Sequence, residues 1–149
     1  MALSNPLPPT YFFGAILVAA LVHFLLPLHQ ILSFPWRLLG LIPMTIGFVL
    51  NLLADKALKN YQTTVKPFER SSALVTDGIF GITRNPMYLG MVLILFGVAL
   101  LLGSVSPLVI VILLAVLLDR IFIAPEEQKL ERAFGDRFNV YGRKVRRWV

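Results

Sequence analysis

The chain contains no cysteine and little charge: 15% of its 149 residues are Asp, Glu, Lys or Arg, against 57% that are hydrophobic. Without cysteine there is no disulfide, no thiolate metal site and no cysteine nucleophile, and the two histidines, His23 and His29, lack the His-x-x-x-His spacing of a zinc site. The chain also has no Gly-x-Gly-x-x-Gly and no alternation of strand-like and helical segments, which excludes a soluble dinucleotide-fold enzyme. A water-soluble domain of this size carries roughly a quarter charged residues and could not bury so much apolar surface. The solvent for much of the chain is therefore lipid.

What is present sorts into four apolar stretches, about 11–28, 38–53, 87–102 and 107–123. With a few flanking residues, each has the length that crosses a hydrocarbon core of about 30 Å as a helix. The expectation is an all-α integral membrane protein with four transmembrane helices in two hairpins, forming a single domain over 1–149 without internal repeat or low-complexity linker. The first ten residues contain three prolines and no lysine or arginine, so they do not read as a cleavable signal peptide.

Charge sets the expected orientation. Of fourteen basic residues, Arg37 alone falls in a short connection between spans one and two. The other thirteen lie on the side of the termini: Lys56, Lys59, Lys66, Arg70, Arg84, Arg120, Lys129, Arg132, Arg137, Arg143, Lys144, Arg146 and Arg147. By the positive-inside rule both termini are cytoplasmic, as in a multi-pass protein of the plasma membrane if the source is prokaryotic. The net charge of +6 needs no nucleic-acid partner. Residues able to do chemistry are concentrated in two cytoplasmic segments, 54–86 and 124–149.

In the first segment, Asp77-Gly78 and Gly81 signal turns, and Pro86 suits the first turn of the third span. Arg84-Asn85 thus precedes a helix N-terminus, where main-chain donors and the helix dipole favour an anion. The plainer reading of Arg84 is a positive-inside anchor. The second segment reads as a proline-led helix start at Pro125 with Glu126 and Glu127 in its first turn. Helix-start decoration is the plain reading of that acid pair, although with Asp119-Arg120 it makes a costly polar cluster at the bilayer edge. Leu130, Phe134, Phe138 and Tyr141 then form one face of a C-terminal amphipathic helix. Gly90 and Gly97 share a face of span three and suit close helix packing. His23 reads as a hydrogen-bonded interior residue, Trp36 and Trp148 as interfacial anchors.

Taken in order, Leu74-Val75-Thr76-x-Gly78, Arg84-Asn85-Pro86-x-Tyr88-x-Gly90, a further span, Glu126-Glu127-x-x-Leu130, Phe134-Gly135-x-x-Phe138-x-x-Tyr141 and Val145-Arg146-Arg147-Trp148 resemble the integral-membrane methyltransferases of the isoprenylcysteine carboxyl methyltransferase and phospholipid N-methyltransferase superfamily. The resemblance implies S-adenosylmethionine as cofactor, held in a cytoplasm-facing pocket, and a lipophilic small-molecule or lipid acceptor, a carboxylate or a lipid amine, entering from the bilayer. It implies cofactor contacts from Ser72, Ala73, Leu74, Val75, Phe80, Arg84, Asn85, Pro86, Met87 and Tyr88, with Glu126 for the cofactor's ammonium group. It implies a catalytic set of Arg84, Glu127 to orient the acceptor or take its proton, and Arg120 as the arginine nearest the acceptor-binding position, which Phe122 occupies here.

Asn85 stands where eukaryotic members have histidine, which keeps hydrogen bonding and removes titration. The rival readings are a small four-helix cation transporter, for which Asp119, near the cytoplasmic end of span four, is the one acid within a span, and a non-catalytic membrane scaffold.

Overall fold

The structure is a computed structural model that describes residues 7–62 and 73–149. Helix α1 (Pro8–Leu25) opens on paired prolines, whose missing N–H groups cost nothing in a first turn. A single 3₁₀ turn, Trp36–Gly40, runs directly into α2 (Leu41–Asn60). Helix α3 (Pro86–Leu102) starts on Pro86 and stops at Gly103, whose φ of 82° is the left-handed cap that glycine supplies. Helix α4 (Val105–Leu118) passes through a π-helical turn, Asp119–Ile123, into α5 (Ala124–Phe134), and α6 (Asp136–Lys144) follows. No strand occurs among the described residues, only an isolated bridge between Gln30 and Ser104.

Among the described residues, three helices are long and apolar enough to cross a membrane: Pro8–Leu25, Trp36–Asn60 and the continuous Val105–Phe134. The third expected span, Pro86–Leu102, is apolar throughout but 17 residues long, at the lower edge of the spanning range.

The C-terminal part departs from expectation in two ways. Pro125 does not open a separate helix, because the helix that begins at Val105 runs through it to Phe134, 30 residues in all. Proline inside an α-helix removes one hydrogen bond and crowds the carbonyl four residues earlier; the wider π turn just before Pro125 relieves both. A helix of that length measures about 45 Å, so it outruns a ~30 Å hydrocarbon core and carries its charged last third beyond it. The expected single amphipathic helix is also divided, because Gly135 adopts φ 53° and turns the chain between α5 and α6.

Helix α3 packs against α1, α2 and α4. Its contact with α2 is set by two reciprocal glycine pairs: a Cβ on Gly40 would collide with the Gly97 carbonyl, and one on Gly47 would stand 2.5 Å from the Gly90 carbonyl. Gly90 and Gly97 thus serve the close packing that their spacing predicts. Asn51 Nδ2, beside Gly90, donates to the Gly47 carbonyl at 2.9 Å, which satisfies an amide that lipid could not. Leu95, Leu118, Phe122 and Ile123 fill the core with Phe12 and Ala19 of α1. The outer faces are the reverse of a soluble protein's, with Phe13, Leu17 and Phe24 of α1, Phe48 and Leu52 of α2, and Ile112 and Leu113 of α4 all exposed.

One end of the bundle is closed by its two short connections. The Gly103 carbonyl accepts from the N–H groups of Ile31 (2.9 Å) and Leu32 (3.1 Å), and the His29 carbonyl accepts from Val105 N–H (3.1 Å). Ser106 Oγ donates to the Leu26 carbonyl at 2.6 Å, and His23 Nδ1 is hydrogen-bonded to Ser104 Oγ at 2.7 Å, the interior role expected of that histidine. The chemistry-bearing segments lie at the other end, where α3 begins.

The glycine contacts give a direct test. Gly47→Leu is expected to cost about 1–3 kcal/mol through overpacking. Gly14→Leu, whose added Cβ meets nothing within 4 Å, stays within about 0.5 kcal/mol. Thermal unfolding in detergent, followed by circular dichroism, separates the two, and equal melting temperatures would refute the close α2–α3 crossing.

Candidate functional site

The residues before α3 are shaped by local chemistry. Gly78 takes φ 56°, a turn conformation open to glycine, and a 3₁₀ turn follows over Gly78–Gly81. Tyr61, at the end of α2, donates its hydroxyl to Asp77 Oδ2 at 2.7 Å and ties that helix to the turn. Phe80 is held from the other side, because Tyr141 of α6 donates to its carbonyl at 2.6 Å. Burial pushes the Tyr141 phenol up to about 12, so it remains the donor throughout the physiological range.

Residues 83–85 are stitched to the C-terminal tail. Arg84 N–H donates to the Arg146 carbonyl at 3.1 Å, and Asn85 Nδ2 donates to the Arg147 carbonyl at 3.0 Å. The hydroxyl of Thr83, almost fully buried, donates to the same carbonyl at 3.3 Å and accepts from Asn85 N–H at 3.2 Å. Asn85 therefore uses its amide as a donor toward the tail, a bond that needs no titration.

The side chains around this junction form a row of alternating charge. Arg84 Nη2 lies 3.1 Å from Glu127 Oε1. Glu127 Oε2 accepts from Arg147 Nη2 at 2.6 Å and Nε at 3.1 Å, and Arg147 Nη1 donates to both oxygens of Asp119 at 3.2 and 3.3 Å. Trp148 Nε1 also donates to Asp119 Oδ1, at 3.3 Å. The Arg84 guanidinium is packed between Phe138, whose ring centroid is 5.9 Å from Cζ, and Gly142, where a Cβ would stand 2.6 Å from Nη1. Arg84 Nε and Glu127 Oε1 are nevertheless buried without a hydrogen bond among the described residues. Buried polar atoms in that condition are uncommon and mark a place where a partner fits.

Of these groups Arg84, Glu127 and Phe138 line a cavity of about 260 Å³ at the head of α3, near the lower bound of ~300–1,000 Å³ typical of small-molecule sites. Its apolar wall comes from Leu74, Val75, Phe80, Met87, Met91, Leu130 and Phe138, and its polar groups from Arg84, Asn85, Tyr88, Glu126, Glu127 and Tyr141. Tyr88 donates its hydroxyl to Glu126 Oε2 at 3.0 Å. Burial holds the Glu126 carboxyl above its ordinary value, and the Tyr88 hydrogen bond and Lys129 offset that only in part.

The structure brings Ala73, Leu74, Val75, Phe80, Arg84, Asn85, Pro86, Met87, Tyr88, Glu126 and Glu127 together on this cavity. Ser72 lies outside the described residues. Arg120 does not join them: it is exposed, one residue beyond Asp119, and lines no part of the cavity. Besides Arg84, the basic side chain that reaches the acids is Arg147, bonded to Glu127 and Asp119, which the sequence presents as one more positive-inside charge. Leu7, Pro8, Pro9 and Leu58 also line the cavity, and no local pattern marks them.

The phospholipid methyltransferase family matches the chain over residues 36–137, more than half its length. An uncharacterized protein of Haemophilus influenzae is 41% identical over 63 residues, which are 42% of this chain and all of that protein. No solved structure gives a significant match. The match spans α2 to the start of α6 and contains the head of α3 and both glutamates of the cavity, so the chain belongs to the phospholipid methyltransferase family, a family of membrane methyltransferases.

Proposed function

We propose that the chain is an S-adenosylmethionine-dependent methyltransferase of four spans in a single domain. Both termini are cytoplasmic, and the cavity at the head of α3 holds the cofactor at the cytoplasmic membrane face. The observation that carries the proposal is the convergence of Arg84 and Glu126, charges of opposite sign, on one apolar-walled cavity. A zwitterionic amino-acid group matches that pair, and Arg84 Nε, without a hydrogen bond among the described residues, is a donor suited to its carboxylate. When bound, S-adenosylmethionine supplies an electrophilic methyl group on a sulfonium.

The chain's own residues bind, orient and exclude water. Arg84 receives the carboxylate, assisted by the N-terminus of α3. Glu126, steadied by Tyr88, receives the ammonium. Ala73, Leu74, Val75 and Phe80 form the apolar side suited to adenosine, with Ser72 adjoining in sequence, and Asn85, Pro86, Met87 and Tyr88 shape the floor. Holding both reactants in line is the larger part of catalysis for a direct displacement.

The acceptor is a lipophilic carboxylate or a lipid amine delivered from the bilayer, with membrane lipids as surroundings. Glu127, engaged with two guanidinium groups on the cavity wall, positions Arg84. The transporter reading loses its acid, since Asp119 is bound by Arg147 and Trp148. The scaffold reading leaves buried opposite charges on a cavity wall without purpose.

Purified protein in detergent is expected to bind S-adenosylhomocysteine, the demethylated cofactor, and Glu126→Gln to weaken that binding about tenfold or more, as for loss of a charge-assisted hydrogen bond. Calorimetry that finds no binding in detergent or lipid would refute the cofactor assignment. The pH dependence has a fixed sign. Glu126 must be ionised to pair with an ammonium group, so affinity falls as pH drops through its raised value, with a midpoint above the ordinary 4.5. Glu126→Gln removes that dependence. Incubation with methyl-labelled cofactor should place label in a phospholipid amine or a lipophilic acid from a lipid extract, and label confined to water would exclude both acceptor classes.

A further inference from the structure

Arg147 lies beyond residue 137, where the family match ends, and lines no part of the cavity. Its guanidinium nevertheless reaches Glu127 through two donors and Asp119 through a third. The side chain of Arg147 is 36% exposed, while those of Glu127 and Arg84 are 13% and 16% exposed. A partly solvent-accessible cation is thus bonded directly to a residue of the cavity wall.

The geometry at Glu127 decides what Arg84 has left to offer. An arginine and a carboxylate prefer a two-bond fork, and the side-on form consumes Nε together with one Nη. Arg84 and Glu127 do not form it. Both donors from Arg147 fall on Glu127 Oε2, so Arg84 meets Oε1 alone, through Nη2, and its Nε stays without a hydrogen bond among the described residues. Phe138 and Gly142 fix the guanidinium from the α6 side.

We propose that Arg147 is a positioning residue for cofactor binding. By occupying Glu127 Oε2 it prevents the side-on fork and so reserves Arg84 Nε for the carboxylate of the ligand. Asp119 and Trp148 hold Arg147 in that task. The inference rests on reading the cavity as the cofactor site, and it concerns only the amino-acid end of the ligand.

The test compares two ligands on the full-length protein in detergent. S-Adenosylhomocysteine carries the amino-acid group, whereas 5′-methylthioadenosine shares the adenosine and thioether but lacks it. Arg147→Met is expected to weaken the first about tenfold and leave the second unchanged. Asp119→Asn, which loosens Arg147 from outside the cavity, gives a smaller loss with the same selectivity. Adding Glu127→Gln to Arg147→Met restores part of the affinity, because a neutral amide makes no charged fork with Arg84. Equal weakening of both ligands, or no weakening of either, would show Arg147 to be merely structural and overturn the inference while leaving the cofactor site intact. Wild-type protein that binds neither ligand overturns the cofactor assignment itself and the inference with it.

Discussion

The site depends on one requirement, that charge be kept at the edge of an apolar bundle without being left unpaired. Removing a carboxylate or guanidinium from water costs several kcal/mol unless its partner is well placed. Asp119, Arg147, Glu127 and Arg84 meet that cost as a row in which each inner member has a neighbour of opposite sign on both sides. The row draws together four parts of the chain: the end of α4, the tail, the first turn of α5 and the approach to α3. The main-chain hydrogen bonds from residues 83–85 to the Arg146 and Arg147 carbonyls follow the same seam. The cavity exists because these parts are held together.

Much of the scaffold was legible in the sequence because lipid imposes simple rules. An uninterrupted apolar run long enough to cross a bilayer has few alternatives to a helix. Gly90 and Gly97 announced a close crossing, although their partners Gly40 and Gly47 come into view only when the two helices are laid side by side. Pro125 misled for an instructive reason: proline is a good helix starter by local rules, and only a widened turn upstream lets it sit inside a continuous helix. Gly135 was equally ambiguous, since a stripe of Leu130, Phe134, Phe138 and Tyr141 keeps its period on paper whether or not the chain bends within it.

The candidate site was legible where its residues are contiguous and opaque where they are not. Arg84 to Tyr88 and Glu126-Glu127 each carry a local pattern. Arg147 carries none, because it sits in a basic tail whose charges all serve the positive-inside rule and its pairing spans 20 and 28 residues of chain. Arg120 was the natural choice as the arginine nearest the acceptor-binding position that Phe122 occupies. On a helix, however, adjacent residues point about 100° apart, so Asp119 turns toward the tail and Arg120 toward the surroundings.

The π turn at Asp119–Ile123 has a consequence for the azimuth of the two glutamates. A π turn fits an additional residue into one circuit of the helix, so everything downstream is re-phased by about 100° relative to an uninterrupted α-helix. The bearing of Glu126 and Glu127 toward the cavity is therefore set by a winding defect and not by their position in the span alone. In this chain the register between the membrane-embedded shaft and its charged head is a rotational setting, adjustable in steps of one residue and only in such steps.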